Sequence, residues 1–319
     1  MQWNRRDFLF ASAAALAASS AVSDERSGIP CIDSHIHLWD LTRPQGAPYP
    51  AKGMKLPGAR GKLMGTEHLS ATVYRQEFAS PGVVGAIAAE ASPWLEDNLW
   101  LLESCAADDF MVGAVGNLLP EAKEFPEYLD RYHKNPLYLG IRYGNLWGYN
   151  LAEQSGNPAF INGLKLLAQA GLVLDVGNPE ISVLQATLRV NDAVPSLKIV
   201  AEHLVGFSPA PEATAAYELV LREFQHRPQI YGKVGIIAGP SGEISPRLAD
   251  HKTDLDRLHE AFGEDRVVGY AFSNVSPSLE LMKQYYAAKS RQAAEKFFWK
   301  NSVALYRWAA RTPEQPRVA

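Results

Sequence analysis

Eight short apolar runs alternate with amphipathic stretches along the chain, and this alternation constrains the fold more than any other feature. The runs are Cys31–His37, Val83–Glu90, Met111–Asn117, Tyr138–Tyr143, Gly171–Val176, Lys198–His203, Ile230–Ile236 and Arg266–Phe272. The helix-like segments between them include Leu95–Asp108, Ala159–Ala170, Ile181–Asn191, Ala213–Gln225 and Leu248–Phe262. Continuous apolar strands that alternate with helices are typical of a parallel sheet covered on both faces. Eight such units predict an α/β fold, a closed (β/α)8 TIM barrel, with an open doubly wound sheet as the alternative.

The N-terminal segment predicts an export signal that is separate from the fold. Arg5 and Arg6 precede the apolar run 8–22, which is rich in Ala and Ser and too short for a comfortable membrane span. This pattern is similar to a twin-arginine signal, although an amphipathic helix that stays attached is the alternative. We therefore predict a signal peptide over 1–23, a single barrel domain over 24–319, and a periplasmic or secreted bacterial protein with no stable membrane span after removal of the signal.

Net charge and cysteine count exclude several classes of partner and of structural site. The chain has 31 basic and 35 acidic residues and a net charge of -4, which gives no global attraction to nucleic acid or anionic membrane. A small-molecule substrate is the expected partner. Cys31 and Cys105 are too few for a disulfide framework or a zinc site made of cysteines alone. We expect two separate buried thiols, although a disulfide is permitted in the predicted compartment.

A basic segment follows the first predicted strand. Residues 41–66 are rich in Pro and Gly and contain no acidic residue. The basic residues of this segment are Arg43, Lys52, Lys55, Arg60 and Lys62. In a barrel, a long loop after the first strand lies over the C-terminal mouth and is usually a lid or binding loop. The segment is therefore expected to attract an anionic substrate, and a solvated cationic surface loop is the alternative.

The first apolar run contains a His-x-His motif. Asp33, His35 and His37 alternate along the strand, so their side chains point to one face, the interior of the barrel. Two imidazoles at the C-terminal end of a barrel strand can ligate one metal ion or donate to one substrate carbonyl group. Two hydrogen-bonded core histidines are the alternative.

Further polar side chains lie at the ends of other predicted strands. His203 ends the sixth run, and Glu90, Arg142, Asp175 and Lys233 lie at or near the ends of four others. A catalytic mouth requires polar groups that converge on one end of a barrel. For each residue taken alone, a structural ion pair is the alternative.

Several segments together carry a resemblance to a known family. They are IDSHIHLWD, AAEASPWLEDNLWLLE, LGIRYGNLWG, VLDVGNP, VAEHL, YGKVGI and KNSVALYRW. In these segments the mature chain resembles the amidohydrolase superfamily, and within it the amidohydrolase-2 branch, which includes lactonases. The resemblance implies a (β/α)8 barrel that hydrolyses cyclic esters, with decarboxylases among the relatives. It also implies one divalent metal, Zn or Mn, in some members and none in others.

The resemblance assigns roles to particular residues. It implies a cluster that binds a metal or a carbonyl group, formed by His35, His37 and His203. It implies that Arg142 binds a substrate carboxylate or carbonyl oxygen through its guanidinium fork. The pocket would also be lined by Glu90, Asp175 and Lys233. The aromatic side chains that would wall a ring-shaped substrate, if they do not simply pack in the core, are Trp39, Tyr49, Trp94, Trp147 and Tyr149.

The chain departs from the family pattern at the end of the eighth strand. The family usually has Gly-Ser-Asp-Trp-Pro there, with the Asp as general base, whereas this chain reads FSNVS with Asn274 in the matching position. A carboxamide cannot accept a proton from water near neutral pH, and general-base help is typically worth about 10²–10⁴ in rate. Four possibilities follow: a lactone hydrolase with another base (Asp175 or Glu90) or a metal, an altered enzyme in which Asn274 orients substrate, a binding protein that has lost hydrolysis, or a decarboxylase. The first is our working hypothesis, with water attacking a lactone carbonyl polarised by the histidines or their metal.

Overall fold

The structure is a computed structural model that describes residues 28–51, 58–207, 209–236 and 244–318. The predicted signal peptide, Lys52 and Lys55 lie outside the described residues. Eight parallel strands form one sheet, in chain order, that curls into a nearly closed barrel. They are Cys31–His37 (β1), Val83–Ala89 (β2), Met111–Gly116 (β3), Tyr138–Leu146 (β4), Val173–Gly177 (β5), Ile199–Ala201 (β6), Ile230–Val234 (β7) and Val267–Gly269 (β8). Each overlaps one predicted run, so the predicted (β/α)8 barrel is confirmed.

Several strands end before their apolar runs do, and β6 and β8 show why. β6 stops at Ala201 and β8 stops at Gly269. Just beyond these ends, His203 has φ 59° and Ala271 has φ 64°, which are left-handed conformations that an extended strand cannot contain. Both turned residues lie at the C-terminal mouth of the barrel.

Helices surround the barrel and supply most of its outer layer. They are Gly58–Met64 (α1), Ala71–Val73 (α2), Asp97–Ala106 (α3), Phe125–Tyr132 (α4), Leu151–Gln154 (α5), Pro158–Gln169 (α6), Ile181–Ala193 (α7), Thr214–Gln225 (α8), Lys252–Phe262 (α9), Ser278–Ala287 (α10), Arg291–Glu295 (α11) and Asn301–Tyr306 (α12). The turns Tyr74–Phe78 and Lys296–Lys300 are π-helical, and Pro211–Ala213 and Leu248–Asp250 are 3₁₀ turns. The start of α6 shows why such a segment is helical: Asn157 caps it by accepting from the Ala159 amide at 3.0 Å, and Pro158 occupies the first turn.

The basic segment 41–66 is more ordered than a loop in part of its length. It contains helix α1, which the Pro- and Gly-rich sequence did not predict. Its two ends are held together because Trp39–Asp40 pairs antiparallel with His68–Leu69. The segment therefore leaves and rejoins the barrel at one place, above β1.

Side chains close the barrel between its last and first strands. Within the described ranges, β8 forms a backbone ladder with β7 and none with β1. Instead, Ser34 Oγ donates to the Gly269 carbonyl at 2.8 Å. The Asp33 carboxylate accepts from the amides of Ala271 at 3.2 Å and Phe272 at 2.7 Å. Polar side chains of β1 thus replace the missing ladder.

Cys31 and Cys105 are both buried and unpaired, as expected for two separate thiols. Among the described residues, none of the helices has the length and apolarity needed to cross a membrane.

Candidate active site at the C-terminal mouth of the barrel

The structure brings three predicted histidines together. His35 and His37 lie at the C-terminal end of β1, with ring centroids 4.8 Å apart and ring planes nearly perpendicular. His203 follows β6, and its ring centroid lies 5.0 Å from that of His35. The left-handed backbone at His203 ends the strand and turns this side chain toward the other two.

Hydrogen bonds set the tautomers of the first two rings. His35 Nδ1 lies 2.8 Å from the Glu202 carboxylate, and His37 Nδ1 lies 3.2 Å from the Ala89 carbonyl oxygen. Both partners accept hydrogen bonds, so each Nδ1 donates and each Nε2 carries a lone pair. Burial lowers the pKa of His37 to about 3 and holds that of His35 well below its usual value, so both rings are neutral. The two Nε2 atoms nevertheless lie 3.1 Å apart, lone pair facing lone pair.

The third ring has the same tautomer. Arg142 Nη2 lies 3.4 Å from His203 Nε2, and because a guanidinium only donates, this nitrogen is the acceptor. His203 Nδ1 therefore donates to the Tyr270 hydroxyl oxygen at 2.7 Å. Burial lowers the pKa of His203 to about 4, so this imidazole is neutral as well.

The sequence analysis missed Glu202, which lies at the centre of the cluster. This fully buried carboxylate accepts from His35 Nδ1 at 2.8 Å, Lys233 Nζ at 3.0 Å and Arg142 Nε at 2.7 Å. Burial alone would raise the pKa of Glu202, but Arg142, His35 and Lys233 together hold it well below the usual range. The available signal was an acidic residue directly before His203, at the end of an apolar run.

Asp175 and Lys233 lie beneath the site and do not line it. Both side chains are fully buried, one on β5 and one on β7, with Lys233 Nζ 2.5 Å from Asp175 Oδ2. The Tyr306 hydroxyl donates to the same carboxylate. Their ion pair supports Glu202 from below. The sequence predicts both in the lining of the substrate pocket, but the described linings of the two cavities at the barrel mouth include neither residue.

A cavity of about 610 Å³ opens above the histidines, and a lobe of about 230 Å³ adjoins it. Both are lined by His35, His37, Tyr49, Arg60 and Ala271. Of the predicted aromatic walls, Trp147 lines the main cavity, Trp39 lines the lobe and Tyr49 lines both. The described linings of these two cavities do not include Trp94 or Tyr149.

Arg142 lines the main cavity, but its fork is occupied by protein carboxylates. Nε donates to Glu202 at 2.7 Å, and Nη1 donates to Glu90 at 3.0 Å. The side chain therefore does not present a free fork to a substrate carboxylate, contrary to expectation. Glu90 also accepts from Trp147 Nε1 at 2.8 Å and the Ser92 amide at 3.0 Å. Burial raises the pKa of Glu90, the one carboxylate among the described residues that line the main cavity.

Asn274 lies away from the histidines. Its side chain is exposed, and its Nδ2 donates to the Glu77 carbonyl oxygen at 2.7 Å. The residues after β8 that line the main cavity are Tyr270 and Ala271. Neither carries a carboxylate, so this part of the chain offers no base to the main cavity, and Asn274 is not positioned to orient substrate there.

A family model described as amidohydrolase matches residues 32–308, most of the chain. The chain belongs to the amidohydrolase family. A sequence search against curated proteins finds no match.

Solved structures show the same fold at low sequence identity. An amidohydrolase from Burkholderia multivorans with bound zinc is similar at TM-score 0.69 and 17% identity, over 88% of this amidohydrolase and 100% of that chain. A candidate 2-pyrone-4,6-dicarboxylic acid hydrolase from Pseudomonas putida has TM-score 0.64 and 15% identity, over 88% and 98%. A 5-carboxyvanillate decarboxylase from Novosphingobium aromaticivorans, complexed with manganese, has TM-score 0.58 and 14% identity, over 88% and 97%. Identities this low establish the shared fold alone.

The histidine nitrogens of this amidohydrolase suit a divalent cation. Zinc binds imidazole nitrogen at about 2.0–2.1 Å, so two Nε2 atoms 3.1 Å apart can both reach one ion. A cation between them would also remove the repulsion of two facing lone pairs. In addition, His35, Glu202 and His203 offer one ligand atom each within 4.8 Å of one another.

The charge of the cluster leads to the same conclusion. The buried cations are Arg142 and Lys233. The buried carboxylates that accept hydrogen bonds from them are Glu90, Asp175 and Glu202. With neutral imidazoles the acids exceed the bases by one, and burial raises the pKa of Asp175 to about 6. A cation held by the histidines would offset this excess of negative charge, so the residues present fit a bound metal.

Proposed function

We propose that this amidohydrolase opens a small cyclic ester that bears an acidic group, by attack of water on the ester carbonyl above the histidines. The observation that carries the proposal is the pair of neutral Nε2 atoms, 3.1 Å apart, at the floor of an open cavity. The fold of the candidate 2-pyrone-4,6-dicarboxylic acid hydrolase supports it, since a pyrone is a cyclic ester.

The residues that would hold a divalent cation are His35 and His37, with His203 and Glu202 as further ligands close by. Such a cation, zinc or manganese, would supply Lewis-acid polarisation of the carbonyl oxygen. The protein keeps the ligands in place through the Nδ1 hydrogen bonds of His35 and His37, which fix both tautomers and ring orientations. Glu202 is itself held by Lys233 and Arg142.

Glu90 is the proposed proton acceptor. It is the carboxylate that lines the main cavity, while Asp175 lies sealed beneath the site. Burial raises the pKa of Glu90, which makes its carboxylate a stronger base toward a water molecule in the cavity. Trp147 and Ser92 orient this carboxylate through their hydrogen bonds.

The test combines metal analysis with an assay of ring opening. The purified mature protein is analysed for its metal content, stripped with a chelator, and assayed on a panel of carboxylated lactones with and without Zn²⁺ or Mn²⁺. We expect ring opening that is lost on chelation and restored by one of the two metals. The His37→Ala variant should show no ring opening and should retain little bound metal. Full activity of the stripped protein and of His37→Ala would contradict the metal-dependent proposal.

Decarboxylation of a carboxylated ring is the second candidate. It is favoured by one observation, the absence of a carboxylate among the residues after β8 that line the main cavity, because decarboxylation needs no base to activate water. The structural similarity to a 5-carboxyvanillate decarboxylase is in keeping with it. Release of CO₂ without ring opening would identify this reaction. Ligand binding with no turnover under any condition would instead identify a binding protein that has lost hydrolysis.

A further inference from the structure

The cations around the site differ in whether protein carboxylates already pair with them. Arg142 donates to Glu202 and Glu90, and Lys233 donates to Asp175 and Glu202. Arg60, from helix α1, lines both the main cavity and the adjoining lobe. Within the described residues it has no hydrogen-bond or ion-pair partner. It is therefore the cation at the cavity whose charge remains available to a ligand.

The other basic residues of segment 41–66 are occupied or directed elsewhere. Arg43 donates to the Asp97 carboxylate at 2.9 Å and stacks over the Trp100 ring at 4.5 Å. Lys62 lies 3.5 Å from Glu77, is largely exposed, and is outside the linings of the two cavities. Of the described basic residues in this segment, Arg60 alone faces the site.

Helix α1 gives Arg60 apolar neighbours on the same face. Leu63 and Met64 follow it by three and four positions, the spacing that places side chains next to each other on a helix. Both line the adjoining lobe, and Tyr49 lines it beside them. A ligand whose anionic group meets Arg60 can therefore rest an apolar part on this lobe and direct another group toward His35 and His37.

We propose that Arg60 is the specificity residue that binds the anionic group of the substrate, the role that the family resemblance implies for Arg142. The inference rests on the proposed function for the identity of the substrate as a carboxylated cyclic ester. The part of the inference that Arg60 binds an anion rests only on the charges around the cavity and on the shape of the cavity. Arg142, by contrast, is a positioning residue for Glu202 and Glu90.

The binding test uses a probe that cannot be hydrolysed. Isophthalate is a flat dianion and isophthalamide is its neutral counterpart, and titration calorimetry measures both on the full chain. We expect Arg60→Gln to weaken isophthalate binding by about 10- to 100-fold, because a charge-assisted hydrogen bond is lost, while isophthalamide changes less than about twofold. Arg60→Lys should retain part of the affinity, and the matched control Lys62→Gln should leave it unchanged.

Three results would overturn the inference: no binding of isophthalate by the unaltered protein, unchanged affinity in Arg60→Gln, or equal weakening of both probes. Unfolding temperature confirms that the variants fold. With a hydrolysed lactone, Arg60→Gln should raise KM by a similar factor and leave kcat within about threefold. If no lactone is hydrolysed, the proposed reaction fails, yet the calorimetry still decides whether Arg60 binds an anion.

Discussion

At the residue scale, Glu202 organises the candidate site. One buried carboxylate holds an imidazole, a guanidinium and an ammonium group at 2.7–3.0 Å. Arg142 has a second carboxylate partner in Glu90, and Lys233 has one in Asp175, but Glu202 is the carboxylate that all three groups share. Loss of the charge of Glu202 would leave two cations and a histidine proton facing a neutral group in the barrel interior.

Replacement of Glu202 by Gln is expected to be strongly destabilising. Removal of one partner from a buried ion pair typically costs about 3–5 kcal/mol, and here two buried cations would each lose one of their two carboxylate partners. The measurement is the free energy of unfolding in denaturant. The matched control is Glu77→Gln, whose exposed ion pair with Lys62 is worth at most about 1 kcal/mol. Equal, small losses in both variants would show that Glu202 does not hold the cluster together.

Substitutions of Glu90 and of Asn274 test which residue accepts the proton, because they are expected to affect the rate differently. Glu90→Gln should lower kcat by about 10²–10⁴, whereas Asn274→Asp should leave it within about twofold, because Asn274 is exposed and outside the main cavity. The rate of the unaltered enzyme should fall as the pH drops through the pKa of Glu90, which burial raises above the ordinary Glu value of about 4.3. A pH profile of kcat/KM checks this. A higher rate in Asn274→Asp would identify position 274 as the site of a lost base.

At the element scale, the barrel depends on the contact between its first and last strands. β1 and β8 are joined by side-chain hydrogen bonds from Ser34 and Asp33 rather than by a ladder. The same strand carries His35 and His37, and the segment after β8 carries Tyr270, the partner of His203. Closure of the barrel and assembly of the site therefore depend on the same two segments of the chain.

Ser34→Ala tests this seam. The Ser34 side chain is 1% exposed, and its loss leaves the Gly269 carbonyl without this donor. We expect a loss of about 1–3 kcal/mol in stability and faster amide hydrogen exchange along β8. The comparison variant is Ser104→Ala, because Ser104 Oγ donates to a carbonyl within its own helix and should cost less. Unchanged exchange along β8 in Ser34→Ala would show that the hydroxyl does not hold the seam.

At the scale of the whole molecule, the C-terminal tail packs against the end of the barrel opposite the site. Arg311 Nη1 donates to the Cys105 carbonyl at 2.7 Å and to the Met111 carbonyl at 2.8 Å. Gln315, 1% exposed, donates to the Asp109 carbonyl at 2.9 Å. The tail thus covers the N-terminal end of β3 and the end of helix α3, and it helps to bury Cys105 deeply.

The reactivity of Cys31 and Cys105 measures how well the folded protein buries these two thiols. Burial raises the pKa of Cys31 and of Cys105 to about 12, so neither is a thiolate near pH 8. In the native protein we expect no reaction with a disulfide reagent at pH 8, and release of two equivalents after unfolding. Fast reaction of one thiol in the native state would show that the tail or the seam opens readily.

The sequence alone determined the features that follow from local periodicity. Alternating apolar and amphipathic runs located all eight strands. A strand that is buried on both faces must be apolar along most of its length, and this can be read from each segment separately. The two-residue alternation placed His35 and His37 on one face, and the position of His203 after a run placed it at the same end of the barrel. Strand ends were predicted less well, because left-handed residues such as His203 and Ala271 interrupt extended backbone without an apolar signal.

Only the tertiary structure decided which charges are paired and which remain free. Glu202 meets His35 across 167 positions of sequence, and Ser34 meets Gly269 across 235. Such contacts leave no local pattern, so the sequence could not show that Arg142 is occupied or that Asp175 and Lys233 lie below the site. Nor could it show that Arg60 faces the site with no partner among the residues that the structure describes. A side chain's type follows from the gene, but its partner, depth and tautomer follow from what the closed barrel brings beside it.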